Sequence, residues 1–411
     1  MFKNLHSLVY TVDEIQKARD WYARVLDKEP ISETPFSLIF EIGGINLYLN
    51  LRRKDINGTN TNFIGYWSVD DIESVYQKLI EFGAIKHTDI SENYEENYII
   101  RTAAVYDPFG NIIGIYEQKG AKGVEEKPSV TAMGAAFCRA IHCFEKIDGI
   151  PGPDNIAKIF LPLDWLTVFE NLDVLQWIKE NKLAKGIVEY HSARTIFFDQ
   201  IFTKALNENC PQIVILGAGF DSRAYRFKDN IQETRIYELD IHTTQRYKIE
   251  CLIKSNVDIP EQVTFVPINF AIESIEDRLS KAGFDNGKKT TFLLEGLIQY
   301  LSEGAVNAIF NAIKSISKPG SFVVFNYIID SERLRDGYGV KEQIESINST
   351  GEPYKFKIKE GEINFFLEER GLQLIGHHSA EELAKDFLIK KDGSIGGKIT
   401  AFFGMAQAVV I

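Results

Sequence analysis

Residues Gln212 to Ser222 read QIVILGAGFDS, and this stretch limits the possible folds more than any other part of the chain. A short apolar run marks a buried parallel strand, which then breaks into Gly217-Ala218-Gly219. Glycines carry no Cβ, so the backbone of such a turn can approach a ligand closely, while a following helix presents unpaired N–H groups. The turn predicts a nucleotide-type ligand at the carboxyl end of the strand. The same letters also describe a tight strand-to-helix turn that holds nothing.

The neighbouring residues narrow the ligand class. In a dinucleotide site the third glycine of G-x-G-x-x-G packs helix on strand, but here that place holds Ser222, preceded by Asp221 where a pyrophosphate would approach. Asp221 suits a cationic ligand better. A second strand, Arg235 to Leu239, leads into Glu238-Leu239-Asp240, at about the twenty-residue spacing of a carboxylate that holds a ribose. Both features fit S-adenosylmethionine.

Further blocks occur in order along the chain: Thr131-Ala132 with Arg139-Ala140, then Tyr190-His191-Ser192-Ala193-Arg194-Thr195 leading to Asp199, then LGAGFDSRAYRF, YELD, LLEGLIQYLSE from Leu293, KPGSFVVFNYI from Lys318 and GEPYKF from Gly351. With them, residues 130 to 411 resemble the leucine carboxyl methyltransferase family, including its bacterial branch of polyketide-type O-methyltransferases. The resemblance implies a doubly wound, Rossmann-like class I methyltransferase with S-adenosyl-L-methionine as cofactor and a small-molecule methyl acceptor. It places Arg194 on the cofactor carboxylate, Gly217 and Gly219 at the methionine end, Asp240 on the ribose beside Glu238, Glu295 as the acid after the fourth strand, and Tyr300 near the substrate. One position departs from the pattern, because Asn269-Phe270 stands where the family has Asp-Leu on the adenine; an amide still offers that edge a donor and an acceptor.

Each residue also has a plainer reading: Arg194 as a surface ion-pair partner, Glu295 as a turn residue, Tyr300 as core. The reaction implied is in-line displacement at a methyl carbon, which needs alignment and desolvation and no metal. A carboxylate acceptor is already ionised near neutral pH, whereas a phenol or alcohol calls for a base, for which His191 is the candidate.

Residues 1 to 118 hold two similar halves, HSLVYTVDEIQKARDWYARVL with IFEIGGINLYLN, and FIGYWSVDDIESVYQKLIEFGA with VYDPFGNIIGIYE. Each reads strand, helix, strands, with V-D-x-I opening a helix that Asp13, Asp70 or a neighbouring acid caps. The segment resembles the vicinal-oxygen-chelate superfamily of glyoxalase and bleomycin-resistance proteins. In metal-using members the repeats supply paired ligands, and counting from the V-D landmarks puts His6, Tyr48, Ile64 and Gly114 at those places. Ile and Gly cannot ligate, so the segment is expected to be metal-free. Trp21, Tyr48, Trp67 and Tyr106 are available to line a small apolar cleft, although aromatics at strand spacing more often form core.

At 411 residues, 45% of them hydrophobic, the chain suits two or three domains. The expected division is a glyoxalase-like domain over 1–118, a polar linker over 119–129, and a methyltransferase domain over 130–411 whose first part, 130–206, is a helical lid broken at Pro151, Pro153 and Pro162. The fold class is accordingly α/β and α+β: paired βαβββ repeats, then a doubly wound sheet. The net charge of −12 is spread over both parts, since 12 basic and 18 acidic residues up to Gly120 leave 34 and 40 of the 46 and 58 for the rest. No basic face stands out, which argues against nucleic acid as a partner. Cys138, Cys143, Cys210 and Cys251 form no C-x-x-C pair and read as buried free thiols. With no apolar run of about eighteen residues, the expectation is a cytoplasmic protein off the membrane. Edge-pairing repeats make a homodimer the expected assembly. Two other functions remain open: a metal-dependent lyase or dioxygenase in the first domain, or a metabolite-binding module joined to a degenerate cofactor sensor.

Overall fold

The computed structural model describes residues 5–26, 28–51, 63–95, 98–106, 112–120, 123–125, 127–145, 150, 152 and 154–411. The chain forms two compact units, Met1–Ala121 with Pro162–Trp177 and Lys122–Leu161 with Ile178–Ile411. Asp107-Pro108-Phe109-Gly110, Pro151 and Pro153 lie outside the described residues, as does the side chain of Trp21.

The first unit is built on period-two alternation. Strands β1 (Leu5–Val12), β2 (Ser32–Thr34), β3 (Ser37–Ile42), β4 (Ile45–Leu51), β5 (Phe63–Ser68), β6 (Ile85–Glu95), β7 (Tyr98–Tyr106) and β8 (Ile112–Gly120) form one sheet in the order β2-β3-β4-β1-β5-β8-β7-β6. Strand β1 runs parallel to β4, and β5 runs parallel to β8. An antiparallel pairing of β1 with β5 joins the halves, so the two sequence repeats are two βαβββ units meeting at their first strands. Each half carries a helix on one face. Ile15, Ala18, Tyr22 and Ala23 of helix Ile15–Leu26 recur at the helical period of about 3.6 residues and pack with Leu38, Phe40, Leu47 and Leu49. Ile72, Val75 and Leu79 of helix Ile72–Glu81 do the same over Ala103, Val105 and Ile115. Asp71, the neighbour of Asp70, caps this second helix by accepting from Ser74 N at 3.1 Å.

The second unit is wound in two directions from a central strand. Strands β9 (Gln212–Leu216), β10 (Arg235–Asp240), β11 (Val263–Pro267), β12 (Thr290–Leu294) and β13 (Phe322–Asp330) are parallel, and β14 (Ile358–Lys359) adds briefly to β13. Strands β15 (Leu372–Ser379) and β16 (Phe403–Val410) close the order β11-β10-β9-β12-β13-β16-β15, with β16 antiparallel to both neighbours. Every residue of β9 and β12 is buried, the mark of strands covered on both faces. Ahead of β9 the chain is helical over Val130–Glu145 and Ile187–Asn207, and these two helices pack on each other. The four cysteines are free, but only Cys138 is buried; burial pushes its thiol up to about 12. Among the described residues no helix is long and apolar enough to cross a membrane.

Arg101 on β7 ties helix Ile72–Glu81 to the sheet, because it meets Glu73 on the helix and Glu117 on β8, the latter at 3.1 Å and almost fully buried. Arg101→Met leaves Glu117 with the half-exposed Lys119 as its remaining cation among the described residues, so the first unit should lose about 3 kcal/mol, the low end for an orphaned buried charge, in denaturant unfolding. A loss under about 0.5 kcal/mol, the usual scale of surface changes, would show that the pair is solvent-screened.

Candidate active site

The singled-out residues of the second unit converge because the central strands are parallel. Gly217 and Gly219 follow β9, Asp240 ends β10, Asn269 and Phe270 follow β11, and Glu295 follows β12, so all sit at the carboxyl edge of the sheet. The winding reverses between β9 and β12, which is the crevice where open α/β sheets take their ligands. Gly217 has φ +68°, and a Cβ there would stand 2.8 Å from Leu297 Cδ1, so both backbone conformation and space demand glycine. The helix after the turn is a single turn, Arg223–Arg226, shorter than the sequence pattern implies. The backbone N–H groups of the glycine turn itself therefore matter more than a helix dipole. Gly219 N donates to Asp240 Oδ2 at 2.6 Å, and Ile241 N donates to Oδ1 at 2.7 Å. Burial pushes the Asp240 carboxyl up to about 6, against these two N–H groups.

Beneath this edge lies a buried network of arginines and carboxylates. Arg223 Nε donates to Asp199 Oδ1 at 2.9 Å, its Nη2 to Glu295 Oε2 at 2.6 Å, and its Nη1 to Asp221. Arg226 grips both oxygens of Asp199, at 2.7 and 2.8 Å. Arg139 Nε meets Asp154 at 2.8 Å, and Nη2 reaches the Phe220 carbonyl at 2.7 Å. Arg194 Nε donates to Glu295 Oε1 at 2.8 Å, while Nη1 and Nη2 lie 3.5 and 3.8 Å from where a Cβ of Gly296 would stand. Burial alone would raise the Glu295 carboxyl, but the charges of Arg223 and Arg194 outweigh it and hold it well below the usual carboxylate range.

Several roles expected from the sequence change on this geometry. Asp221 turns to Arg223, its carboxylate pairing with the guanidinium and accepting from the Arg223 backbone N–H at 2.8 Å. Glu238 is fully buried, with one oxygen 2.6 Å from Lys248 Nζ and the other taking the Tyr225 hydroxyl at 3.0 Å. Its carboxylate is thus held inside the sheet, whereas Asp240 at the strand end is only part-buried. Asn269 gives Nδ2 to Glu125 at 3.1 Å and takes Ala271 N at 3.0 Å, and Phe270 packs against the core. His191 is buried with Nδ1 unpartnered among the described residues; burial, then the charges of Arg194 and Arg139, hold its imidazole well below its ordinary value. Tyr300 lies 5.4 Å from Tyr354, ring to ring, and burial with the charge of Glu352 pushes its hydroxyl up to about 12.

The roles of Arg139, Asp154, Arg223, Arg226, Tyr354 and Glu352 are not apparent from the sequence. For the arginines a signal was present, since charged residues inside apolar helical blocks must be paired if buried. Glu352 stands in the GEPYKF block, which marks the stretch without giving the acid a role. Its two oxygens accept from Ser129 Oγ and Val130 N at 2.9 and 2.8 Å, and from Thr131 N and Oγ1 at 3.2 and 2.9 Å. One carboxylate thereby anchors the start of helix Val130–Glu145, whose Ala132 approaches the Gly219 turn.

The face of the first unit's sheet opposite its helices is the second candidate. Tyr48 and Ile64 flank Val9 in the register, and Gly114 pairs with Tyr66. A Cβ on Gly114 would stand 2.8 Å from Tyr66 Cδ1 and 3.0 Å from Ile64 Cγ2. His6 stacks on Tyr116 with centroids 3.7 Å apart. Tyr48 and Tyr106 are half-buried and Trp67 is 38% exposed, so none of the three is a fully buried core ring. Alternation sends Tyr48 and Tyr106 to the face away from the helices, whereas Trp67 pairs with Ile115 and shares the helix-side face, where it is exposed.

Comparison with known proteins places both halves. A model of the leucine carboxyl methyltransferase family matches residues 132–314, and a model of the glyoxalase/bleomycin resistance protein/dioxygenase superfamily matches residues 4–115. A putative S-adenosyl-L-methionine-dependent methyltransferase of Mycobacterium tuberculosis is 35% identical over 227 residues, covering 52% of this chain and 70% of the relative. One of Bacillus subtilis is 29% identical over 214 residues, covering 51% and 68%. Among solved structures, a DUF574 family protein from Streptomyces avermitilis aligns at TM-score 0.47 and 12% identity over 70% of this chain and 99% of that one. Magnesium protoporphyrin IX methyltransferase from Synechocystis, with bound S-adenosylhomocysteine, aligns at TM-score 0.35 and 13% identity over 54% and 85%.

The internal role of Glu238 is open to a double-mutant test. Lys248→Met should cost about 3–5 kcal/mol in denaturant unfolding, because it strands a buried carboxylate. Glu238→Leu with Lys248→Met should recover most of that loss. A double variant as unstable as the single one would mean that Glu238 is not held by Lys248.

Proposed function

Since this chain belongs to the leucine carboxyl methyltransferase family and is an S-adenosyl-L-methionine-dependent methyltransferase preceded by a glyoxalase-superfamily segment, we propose that it methylates a carboxylate oxygen of a small-molecule acceptor. In this reading residues 1–118 and 130–411 are two domains, except that Pro162–Trp177 falls in the first compact unit, and of the expected lid over 130–206 the helices Val130–Glu145 and Ile187–Asn207 serve the site. The Gly217–Gly219 turn takes the methionine end of the cofactor, and Asp240 takes the ribose hydroxyls in place of the two N–H groups it now accepts. The loop of Asn269 and Phe270 edges the adenine, Nδ2 passing to it from Glu125. Arg194, oriented by Nε on Glu295, presents Nη1 and Nη2 to the cofactor carboxylate as a planar pair of donors. Tyr300 and Tyr354, each with a hydroxyl raised by burial, stay neutral and orient the acceptor as donors.

The state of His191 carries the choice of a carboxylate. Two arginines and burial oppose the imidazolium, so this histidine is a poor proton acceptor, and an acceptor that arrives ionised needs none. Displacement at the methyl carbon then depends on alignment and exclusion of water. For the first domain we favour a metal-free module, supported by Ile64 and Gly114 at two ligand places and by the Tyr66 ring against Gly114. Stoichiometric metal in the purified protein would overturn that, and light scattering checks the homodimer expected from the paired repeats.

Incubation with S-adenosylmethionine and a panel of carboxylic acids should give S-adenosylhomocysteine and a product that releases methanol in mild base, as a methyl ester does. A base-stable methyl product would mean an ether and hence a hydroxyl acceptor. At saturating cofactor, kcat/KM should be flat between about pH 7 and 9, where a carboxylate is already ionised. A rise of one log unit per pH unit would restore a general base. Cofactor affinity should fall as pH drops below about 6, because ribose hydroxyls need the ionised Asp240 carboxylate and its proton returns there. Asp240→Asn should bind weakly at every pH and lose that dependence; titration calorimetry at pH 5.5 and 7.5 reads both.

A further inference from the structure

Tyr190 stands on helix Ile187–Asn207 one turn before Arg194, on the same face of the helix. It is 1% exposed, and among the described residues its buried hydroxyl finds no acceptor for its proton; Arg194, in reach of the oxygen, can only donate to it. Phenolic protons that far from water normally find an acceptor, so one left without calls for an explanation. The surroundings are specific. Arg194 Cζ lies 5.2 Å from the Tyr190 ring centroid, and the charges of Arg194 and Glu295 both act on the hydroxyl. A guanidinium has donors only, so Arg194 cannot take the phenolic proton, and Glu295 is already engaged by Arg194 and Arg223. The ring is locked in place by stacking on Phe403, with centroids 3.6 Å apart and planes at 6°. A fixed O–H donor beside a fixed cation is complementary to one kind of group, an anionic oxygen placed between them.

We infer that the Tyr190 hydroxyl is a third donor to the cofactor carboxylate, completing with Arg194 Nη1 and Nη2 a three-point carboxylate subsite. The inference rests on the assignment of Arg194 to that carboxylate. Tyr190 is a binding residue here and takes no part in methyl transfer. Its hydroxyl supplies affinity for the amino-acid end of the cofactor and for no other part of it.

The test uses the full-length protein, titration calorimetry, and three ligands: S-adenosylmethionine, S-adenosylhomocysteine, and decarboxylated S-adenosylmethionine, which keeps the sulfonium and the amine but lacks the carboxylate. Tyr190→Phe keeps the ring, its stacking and the cation–π contact, and a thermal melt confirms the fold. Wild-type protein should bind the decarboxylated ligand far more weakly than the other two. The variant should bind S-adenosylmethionine and S-adenosylhomocysteine about tenfold more weakly, the size of a hydrogen bond to a charged group, with binding of the decarboxylated ligand unchanged. If wild type does not distinguish the ligands, the Arg194 assignment falls and takes this inference with it. If wild type distinguishes them and the variant binds all three as wild type does, Arg194 stands and Tyr190 is refuted. Equal weakening toward all three ligands also refutes it, since that reports a deformed pocket.

Discussion

Arg223 is the charge on which the geometry of the second unit turns. A guanidinium keeps its charge inside a protein, so a fully buried one has to meet carboxylates, and each partner it takes is fixed in return. Arg223 takes three, from three separate pieces of chain: Asp199 on the long helix, Asp221 in the glycine turn, and Glu295 at the end of β12. Removing the charge would leave three acids facing one another out of water. The helix, the turn and the strand end are thereby held in one mutual position at the carboxyl edge of the sheet. The rest of the network extends the constraint outward, through Arg226 to Asp199 and Asp154, and through Arg139 to Asp154 and the Phe220 carbonyl.

Four arginines and four carboxylates balance in charge, so the network adds no net field, and burial of such groups is weak evidence for stability as such. Its value lies in orientation. The planar Arg194 group is aimed by the bond from Nε to Glu295, and Glu295 is itself held by Arg223, so the direction of its two terminal nitrogens depends on residues bonded behind it. Glu352 acts in the same way on the other side. By accepting four hydrogen bonds at the start of helix Val130–Glu145, it sets where that helix meets the Gly219 turn, although more than 200 residues of chain separate the partners.

The sequence made the framework legible and left the pairing obscure. Buried strands, the glycine turn, the two V-D-x-I repeats and the acid at position 240 all follow from local patterns of period and spacing, and these patterns predict the strands β9 and β10, the turn between sheet and crevice, and the paired βαβββ halves. Asp221 and Glu238 read as ligand acids because an acid near a glycine turn looks the same in sequence whether it faces a ligand or its own chain. Their true partners, Arg223 and Lys248, are close in sequence, but spacing says nothing about which of two acids a cation will choose. Asn269 illustrates the same limit, since Glu125, its partner, comes from a segment 144 residues earlier. In the first unit, period two correctly gave two faces but could not say which face a helix would cover. Tyr48 and Tyr106 therefore lie away from the helices, and Trp67, on the helix-side face, stays exposed.

A glycine at a ligand position means different things in the two units, and the difference lies in what crowds it. Gly217 and Gly114 are both close approaches, each with a side-chain carbon 2.8 Å from the place of a Cβ. At Gly217 the crowding atoms all belong to Leu297, and two residues further on, the same turn gives an N–H to Asp240 at the ends of parallel strands. A small polar ligand finds donors, acceptors and charge there. At Gly114 the crowding atoms are the Tyr66 ring and Ile64, both on the ligand face, so missing side chain and missing space coincide. Restoring a carboxylate at 114 would not restore a ligand set, because the ring already fills the direction in which that carboxylate would point. Chemistry can be read from a glycine only together with its neighbours: polar atoms around an open backbone indicate recognition, whereas an aromatic ring pressed on it indicates packing.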